Sequence, residues 1–583
     1  MASSTLGRET TPRRFCYLFE AKGIQRYIFD SGPLRDLIGA SDLVAELARG
    51  QERRERDEAE AASALVSDIE RDLIGRVLNA LQIEAPSGRR AAGQVTFSRR
   101  ASGAVMLHAD DETSLHRIRA LLRLTAGLRC PGLEMSDTRP VPAASDVEAV
   151  GKAYREASAL RVNSGADLPP TGHPLTAFNP RTGRVATRLF PYQEDVVVTD
   201  GISEPHRLRA DRLQGRIDGV AERYLGRNRK DGEGWEYVFP RNLDPEEKDE
   251  RDNPLFPFEG EDRRIAVVHA DLSGLGQIWR GFKDAAPADR MEAARAIEAC
   301  VEGAAQEAVE TILLTKAEAR AYGDGAMIAV VPARPVVLGG DDLTILVRAD
   351  LALPFAALLL ERIEEPVTLQ GEKRRLSACA GVAIVRAGQP FLMAYNLAES
   401  LCSFAKKAAK HNRPLAGPYP SMLAFHDALS TLREDYEKAI LGREKTASGS
   451  LRLTGNPYLV GGLPGDEGRP ARPRFEALTE LAKALAADPR GLGKLIELAH
   501  RIADPAGESD CENWRRWRQV LHGRNRDALE NVDRVLRDGF GIDPDNGAPP
   551  IATAPEGDDS RRYFPIADAL ELIDLKTVPV AEL

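Results

Sequence analysis

The chain has few of the features that mark secreted, membrane-spanning or nucleic-acid-coating proteins. Its 583 residues include only six Cys, and no two of them have the C-x-x-C spacing of a zinc or redox site. No apolar run approaches the ~18 residues of a membrane span, and the first residues lack the apolar core of a secretory signal. The net charge of −10 argues against non-specific coating of nucleic acid. We therefore expect a reduced, cytoplasmic protein with no membrane partner.

The composition is that of a folded protein with several hydrophobic cores. Hydrophobic residues make up 43% of the chain and charged residues 29%. This hydrophobic fraction is too high for a chain that is disordered throughout. At roughly 100–200 residues per domain, the length predicts three to five domains. Shifts in pattern predict a polar tail, a first βαββα module, a connecting region that ends in a charged linker, a second module, and a mostly helical C-terminal region. Their predicted bounds are 1–12, 13–140, 141–262, 263–418 and 419–583.

The second module has the clearest pattern. Short apolar strands alternate with segments of helical periodicity in the order βαββαβ, followed by one more helix. This order predicts an α+β, ferredoxin-like split βαβ fold. The four strands are predicted at Arg264–Ala270, Val336–Leu338, Leu343–Val347 and Leu376–Val385.

The first module looks like a second copy of the same unit. The segment 19–24 resembles 270–275, and both lie at a predicted strand-to-helix junction, with Glu20 in the place of Asp271. The predicted hairpin turn at 102–105 takes the place of Gly-Gly-Asp-Asp at 339–342. Two related modules are therefore expected, and only the second carries an acidic turn.

Three carboxylates are predicted to meet at one edge of the second sheet. Asp271 ends the first strand, while Asp341 and Asp342 open the third, and these strands are antiparallel neighbours in this topology. Close carboxylates repel each other, and two Mg²⁺ or Mn²⁺ ions would relieve the repulsion and promote phosphoryl transfer. We predict that all three are metal ligands and catalytic residues. The alternative is an ordinary solvated turn, since Gly and Asp are common turn residues.

Small residues near the acidic turn are candidates for contact with a triphosphate. Gly339 and Gly340 allow the positive φ of a tight hairpin and a close approach of phosphates to the backbone. Ser273 and Gly274 follow Asp271 at a predicted helix start, where free backbone N–H groups favour anions. These four residues are predicted to bind the nucleotide.

Two lysines on the helix after the fourth strand extend this set. Lys406 and Lys410 are four residues apart and share a helix face, from which they would neutralise phosphate oxygens. The alternative is a solvated basic face, which is the more common role of a lysine run.

These segments together resemble a known family, the large subunit of type III CRISPR effector complexes. HADLSGLGQIW, VLGGDDLTILV, LSACAGVAIV and AESLCSFAKKAAK resemble its second palm domain. FEAKGIQRYIFDSGPLRDLIGASDLV resembles its first palm domain, and RYFPIADALELIDL is compatible with its C-terminal helical domain. The resemblance implies two palm domains that join ATP 3′–5′ into cyclic oligoadenylates, the second messengers of antiviral defence.

The resemblance also implies roles for individual residues. The three acidic residues would hold two Mg²⁺ ions, the glycines before them would lie beside the triphosphate, and Lys406 would contact phosphate. The first palm would hold the acceptor ATP without metals, because Ala104 and Val105 replace the acidic pair. RNA-guided complex subunits and target RNA are the implied partners, or a second copy of the chain if the protein acts alone.

Two features of that family are expected to be missing. The chain begins at the first palm, so we expect no HD nuclease domain, and its His426-Asp427 pair is predicted to be structural and helical. Residues 141–262 contain no Cys, so no zinc is expected there. Whether the protein works inside an RNA-guided complex or alone therefore stays open.

Two other functions compete with this one. A diguanylate cyclase-like enzyme shares the fold, but its turn reads GG[DE]EF, whereas Leu343 follows the acidic pair here. A catalytically silent scaffold for an RNA–protein complex is the second alternative. The segment Trp514–Arg518 would stack on RNA in one interpretation and form a buried helix stripe in the other.

Overall fold

The computed structural model describes most of the chain, and the statements below concern the described residues. They are 14–30, 34–47, 73–83, 94–101, 103–162, 177–192, 195–212, 219–226, 229–243, 256–260, 262–282, 284–322, 326–411, 418–428, 432–446, 451–462, 473–502, 511–556 and 559–579. The predicted tail at 1–12 and most of the predicted linker at 244–262 lie outside them. No helix in the described ranges combines the length and apolarity needed to cross a bilayer.

The first module is a sheet with helices on its faces. Its strands are β1 Arg14–Lys22, β2 Thr96–Ala101, β3 Ala104–Ala109, β4 Glu134–Asp137 and β5 Val141–Ala143. Its helices are α1 Ile24–Phe29, α2 Leu34–Leu47, α3 Leu73–Ala80, α4 Glu112–Arg129 and α5 Asp146–Val162. The strands are ordered β2-β3-β1-β4, with β5 also paired to β1. All pairs of β1 are antiparallel.

A connecting segment follows, built from short elements. It contains strands β6 Ala186–Tyr192, β7 Asp195–Asp200 and β8 Glu236–Val238, with helices α6 Ser203–Arg212 and α7 Gly219–Leu225. Helix α6 packs against α2 of the first module, where Arg207 forms a buried ion pair of 3.1 Å with Asp36. Helix α7 packs against the second module, so this segment joins the two.

The second module contains the largest sheet of the described chain. Its strands are β9 Arg264–Leu272, β10 Glu318–Tyr322, β11 Ala326–Val330, β12 Ala333–Gly339, β13 Asp342–Arg348, β14 Pro366–Leu369, β15 Glu372–Arg375, β16 Ala378–Arg386 and β17 Ser421–Asp427. Its helices are α8 Leu275–Gly281, α9 Pro287–Ala308, α10 Ala349–Ile363 and α11 Phe391–His411. The order β12-β13-β9-β16-β17 continues into the C-terminal region.

The two sheets share one strand order, which confirms the predicted α+β fold with two ferredoxin-like units. β2-β3-β1-β4 in the first corresponds to β12-β13-β9-β16 in the second. Side chains alternate across β9, because successive residues of a strand point to opposite faces. Ala266 and Val268 therefore join the core under α9 and α10, while Ile265 and Val267 join a core shared with the first module. The central strands are buried on both faces.

Several elements differ from the sequence prediction. Helical periodicity predicts one helix over Arg290–Arg320. Beyond Ala308 the helix continues through a π turn at Val309–Leu313 and a 3-10 turn at Leu314–Lys316, and Glu318–Tyr322 is a strand paired with β11. Helical periodicity also predicts a helix over Arg207–Tyr224, and its described parts lie in α6 and α7, while 213–218 lie outside the described residues. Alanine and glutamate favour a helix locally, but β10 pairs with the next strand β11, which itself pairs with the distant β8, and this sheet overrides the local preference.

The His426-Asp427 pair lies on strand β17 and not on a helix. The His426 Nδ1 atom is 2.9 Å from a Glu444 carboxylate oxygen, and the carboxylate of Asp427 lies 3.4 Å from Arg264. Parallel pairing with β16 determines this conformation, since every residue from Met422 to Asp427 has a partner there.

The C-terminal region is mostly helical, as predicted, with a small three-stranded sheet. It contains β18 Leu451–Arg452, β19 Tyr458–Val460, β20 Ala552–Glu556 and β21 Asp559–Tyr563, with helices α12 Phe475–Ala486, α13 Pro489–Ile502, α14 Cys511–Arg524, α15 Arg526–Phe540 and α16 Pro565–Asp574. Trp514 and Trp517 stack with their ring centroids 5.0 Å apart, and both are buried. The structure therefore favours the core role of this pair over RNA stacking.

A buried carboxylate holds α16 against the second module. Asp568 accepts hydrogen bonds from the Gly455 amide at 2.7 Å, from the Thr454 hydroxyl at 3.2 Å and from the Tyr458 hydroxyl. Burial nevertheless raises the pKa of Asp568 to about 7. The folded protein therefore holds this proton more tightly than the unfolded chain does.

We expect Asp568→Asn to flatten the pH dependence of stability. A raised pKa means that the stabilising contribution is full below the unfolded pKa and is lost as pH rises through about 7. Asparagine keeps an acceptor and cannot ionise. Thermal unfolding should therefore show the variant gaining on the order of 2 kcal/mol over wild type at about pH 8, but little at about pH 5. Asp574→Asn, on an exposed carboxylate of the same helix, should not change the profile.

Candidate functional site

The acidic turn lies where the sequence placed it, at the edge of the second sheet. Asp342 pairs directly with Asp271 across the β13–β9 ladder, and Gly339 pairs with Asp342 across the hairpin. The Leu272 amide donates to the Asp341 carbonyl at 3.0 Å, which ties the turn to the end of β9. The backbone thus brings all three predicted acidic residues to one point.

The carboxylate of Asp271 faces a lysine. The Lys406 ammonium, on α11, forms an ion pair with Asp271 Oδ2. Burial raises the pKa of Asp271, and Lys406 opposes this rise, while Asp342 and Asp341 add to it. In turn, Asp271 raises the pKa of Lys406. The residue predicted to bind phosphate is therefore paired with a residue predicted to bind metal.

The carboxylate of Asp342 has a different environment. The Gln25 amide, on α1 of the first module, donates to Asp342 Oδ2. The other oxygen, Oδ1, is buried without a hydrogen-bond partner and lies 3.4 Å from Nδ1 of His269. Burial raises the pKa of Asp342 to about 7, against the effect of the Gln25 hydrogen bond. Burial lowers the pKa of His269 to about 4, so the ring is neutral near pH 7.

Helix α7 supports the strand that leads into the turn. Tyr224 donates its hydroxyl to the Val337 carbonyl at 3.0 Å, and Arg223 donates to the Leu338 carbonyl. Arg223 is itself held by Glu298 at 2.9 Å and by Glu302. The connecting segment therefore fixes the position of the hairpin from outside the second module.

The backbone of the residues predicted to bind the nucleotide differs from the prediction. Gly274 has φ of 74° and precedes α8, but Gly339 and Gly340 are not among the described residues with positive φ. The Ser273 amide donates to the Ser377 carbonyl at 2.7 Å, so it is not a free phosphate donor. A free helix start would expose the Ser273 amide, but here the amide is hydrogen-bonded to the segment before β16.

Lys410, the second lysine of the predicted pair, is not part of the Lys406–Asp271 ion pair. Lys410 is exposed near the end of α11, one turn beyond Lys406. Lys407, between them, forms an ion pair with Glu437 instead. Only Lys406 of this run is in contact with the acidic turn.

The corresponding place in the first module has one carboxylate, and nearby cations balance its charge. Glu20 takes the position of Asp271 and pairs in register with Ala104, where the second module has Asp342. The prediction that Ala104 and Val105 replace the acidic pair is therefore wrong by one residue, because this register places Gly103 and Ala104 there. The Glu20 carboxylate lies 2.7 Å from Lys22 and 3.7 Å from Arg99. One acidic group with two cations gives no reason to expect a bound metal ion there.

The donor set of the second module fits a hard divalent cation in its chemistry. It offers carboxylate oxygens on directly paired residues, and one of these, Asp342 Oδ1, is a buried acceptor without a partner. However, no group of three or more His, Cys, Asp or Glu in the described ranges is arranged as a metal site, because Asp271 is turned to Lys406 and Asp342 to Gln25. The metal assignment therefore stays a prediction.

Sequence reasoning missed four residues of this site: Gln25, Arg223, Tyr224 and His269. His269 lies two residues before Asp271 in a buried strand, which was a usable signal because both side chains point to the same face. Gln25 and Arg223 lie far from the acidic turn along the chain, so no local pattern marks them.

Comparison with known proteins identifies the second module. The family model described as Cas10/Cmr2, second palm domain, matches residues 264–414, about a quarter of the chain. This match confirms the resemblance found from the motifs. No curated protein matches the chain.

Several solved structures are similar to the chain at low identity. A Csm1-Csm4 cassette in complex with cA4 is 13% identical, with a TM-score of 0.47, over 97% of this chain and 70% of that one. A Csm1-Csm4 cassette in complex with AMPPNP is 14% identical, with a TM-score of 0.45, over 98% and 70%. Csm1 from T. onnurineus is 15% identical, with a TM-score of 0.44, over 97% and 70%.

Proposed function

We propose that this chain, whose residues 264–414 form a second palm domain of the Cas10/Cmr2 family, is a nucleotidyltransferase that joins ATP into cyclic oligoadenylates. The observation that carries the proposal is the direct pairing of Asp342 with Asp271, with Asp341 in the turn between the strands. Three carboxylates crowded at one sheet edge repel each other, and a bound divalent cation would relieve that repulsion. By the same family resemblance, the product would act as a messenger in antiviral defence.

The chain's own residues would divide the work as follows. Asp271, Asp341 and Asp342 would hold two Mg²⁺ or Mn²⁺ ions, which activate an attacking hydroxyl and stabilise a leaving pyrophosphate when bound. Lys406, which is paired with Asp271, would contribute a positive charge to bind the phosphates. Gly339 and Gly340, half-exposed beside the turn, would let the triphosphate approach the backbone.

The start of α8 lies next to the acidic residues, where the phosphates of a nucleotide would bind. Gly274, in the left-handed conformation before α8, is close enough to the Tyr419 ring that a Cβ would lie 3.1 Å from it. Only glycine therefore fits at this junction, which keeps the helix start near the acidic residues. Lys410, being exposed, would act only on an extended nucleotide chain.

The experiment that tests this function is product analysis. Purified full-length protein is incubated with Mg²⁺ and either ATP or GTP, with and without target RNA and complex subunits, and the products are identified by mass spectrometry. We expect oligoadenylates from ATP. A cyclic guanine dinucleotide from GTP would instead favour the diguanylate cyclase-like alternative.

The matched control is the protein with Asp341→Ala and Asp342→Ala. We expect this variant to form at most about one hundredth of the product of wild type, because it lacks two of the three acidic residues. If it forms as much product as wild type, the site assignment is wrong. If wild type forms no product under any of these conditions, the silent scaffold is the better description.

A further inference from the structure

We infer that Gln25 of the first module is a positioning residue for Asp342 of the second, so that the acidic site is completed across the two modules. This inference rests on the proposed function, since it concerns the same acidic turn. It adds a residue that lies 317 positions away along the chain and in a different sheet.

The contact is a hydrogen bond from a neutral amide to a carboxylate. Gln25 Nε2 donates to Asp342 Oδ2, while Oδ1 of the same carboxylate is buried without a partner, 3.4 Å from His269 Nδ1. A neutral donor orients the carboxylate without cancelling its charge. Asp271, by contrast, is paired with the cation of Lys406. The amide therefore orients Asp342 without placing a cation on it, and the Oδ1 atom keeps no hydrogen-bond donor.

The helix that carries Gln25 is held against the second module by stacked aromatic rings. Phe29 lies one turn after Gln25 on α1, and its ring stacks on Tyr395 at 4.4 Å between centroids and 15° between planes. The Tyr395 ring meets His269 edge to face at 5.4 Å. Phe29, Tyr395 and His269 are all buried. These contacts lead from α1 to His269, whose Nδ1 atom lies 3.4 Å from Asp342 Oδ1.

The first module fixes where α1 begins. Gly23, with φ of 56°, precedes the helix, and the Ala21 amide donates to the Gly103 carbonyl at 2.9 Å. A Cβ on Gly103 would lie 2.9 Å from the Ile24 side chain, so the β2–β3 turn packs closely against α1. The place of Gln25 is thus set by the first module's own hairpin. A movement of that hairpin would withdraw the donor from Asp342.

Gln25→Ala in the full-length protein tests the inference. We expect Mn²⁺, followed by electron paramagnetic resonance, to bind about 3–10-fold more weakly, since a hydrogen bond to a charged group orients the ligand. We expect kcat for ATP to fall about 10-fold with KM within about 2-fold, because the amide touches the acidic residue and not the nucleotide. A residue with only a structural role would lower thermal stability and leave Mn²⁺ affinity unchanged.

A double-mutant cycle in EDTA makes the test independent of activity. Gln25→Ala should lower the unfolding midpoint of wild type, but should cause no further decrease in an Asp342→Ala background. Additive effects would overturn the direct contact. Both the double-mutant cycle and Mn²⁺ binding can be measured even if the protein turns over no ATP. Failure of the proposed function is therefore distinguishable from failure of this inference.

The chain offers a control with the same chemistry. The Asn396 amide donates to the Glu434 carboxylate at 3.2 Å, on an exposed part of α11 away from the acidic turn. Asn396→Ala should leave Mn²⁺ affinity and kcat unchanged. If Asn396→Ala weakens Mn²⁺ binding as much as Gln25→Ala does, or if Gln25→Ala leaves it unchanged, the inference is wrong.

Discussion

Asp342→Asn is expected to abolish product formation and, at the same time, to stabilise the protein without bound metal. The two effects have one cause, which is the crowding of ionised carboxylates in a partly buried place. Burial, Asp341 and Glu399 raise the pKa of Asp342 to about 7, whereas Gln25 and Lys406 oppose the rise. Removal of the charge relieves the crowding but also removes the predicted metal ligand.

The sign of the stability effect depends on pH. Because the pKa of Asp342 is higher in the folded than in the unfolded chain, its stabilising contribution is complete below the unfolded pKa and is lost as pH rises through about 7. In EDTA, the variant should gain about 1–3 kcal/mol over wild type at about pH 8 and little at about pH 5. Product formation should fall by at least about 100-fold. Thermal unfolding and mass spectrometry measure the two.

Asp350→Asn is the matched control for this experiment. Asp350 accepts from two nitrogens of Arg348 at 2.7 and 3.0 Å, just beyond the other end of β13. Loss of that charge should destabilise the protein by about 1–3 kcal/mol, because the buried Arg348 guanidinium loses the nearest of its carboxylate partners. If Asp342→Asn lowers the unfolding midpoint as Asp350→Asn does, Asp342 is a structural residue and the charge-crowding account fails.

Gly381→Ala is expected to have the largest effect on stability. Gly381 lies in β16 where α11 crosses it, and a Cβ there would lie 2.5 Å from the Cys402 amide nitrogen and 2.8 Å from Leu401 Cβ, and would overlap the Ala398 carbonyl oxygen. Backbone atoms cannot rotate away, so the helix must shift. Overpacking of this kind costs about 3 kcal/mol, or more. A clear drop in the unfolding midpoint should follow.

The same substitution should reduce activity, since α11 carries Lys406 to Asp271 and Tyr395 to His269. Gly388→Ala is the control, because the glycine lies in the turn after β16 and its Cβ would meet no atom within 4 Å. That variant should be as stable as wild type or slightly more stable, because alanine makes the unfolded chain less flexible. Equal losses in both variants would show that the close approach of α11 to β16 is not what determines stability here.

The fold was largely predictable because local patterns carried it. The apolar run of β9, the flanking strands and the amphipathic α11 were predicted within a few residues of their bounds. The helix expected through Arg320 was wrong because β10 is stabilised by its partner β11 and by nothing in its own composition. Trp514 and Trp517 share a helix face, and the structure confirms the buried interpretation of that spacing.

The chemistry of the site was only half predictable. The order βαββαβ with an acid at the end of its first strand and two at the start of its third was enough to place Asp342 opposite Asp271. That follows from sequence because the order of elements along the chain is legible from local patterns, and the βαββαβ motif then implies which strands are neighbours. The same reasoning assigned the Ser273 amide to phosphate, whereas the structure gives it to Ser377.

What only the tertiary structure decided is the partner of each carboxylate. Lys406 reaches Asp271 because α11 packs over β16, and Gln25 reaches Asp342 because the first module docks on the second. Neither contact leaves a mark in local periodicity, since each joins segments more than a hundred residues apart. The sequence by itself determined that three acids share one sheet edge. Packing between distant elements determined that one acid meets a cation and the other a neutral amide.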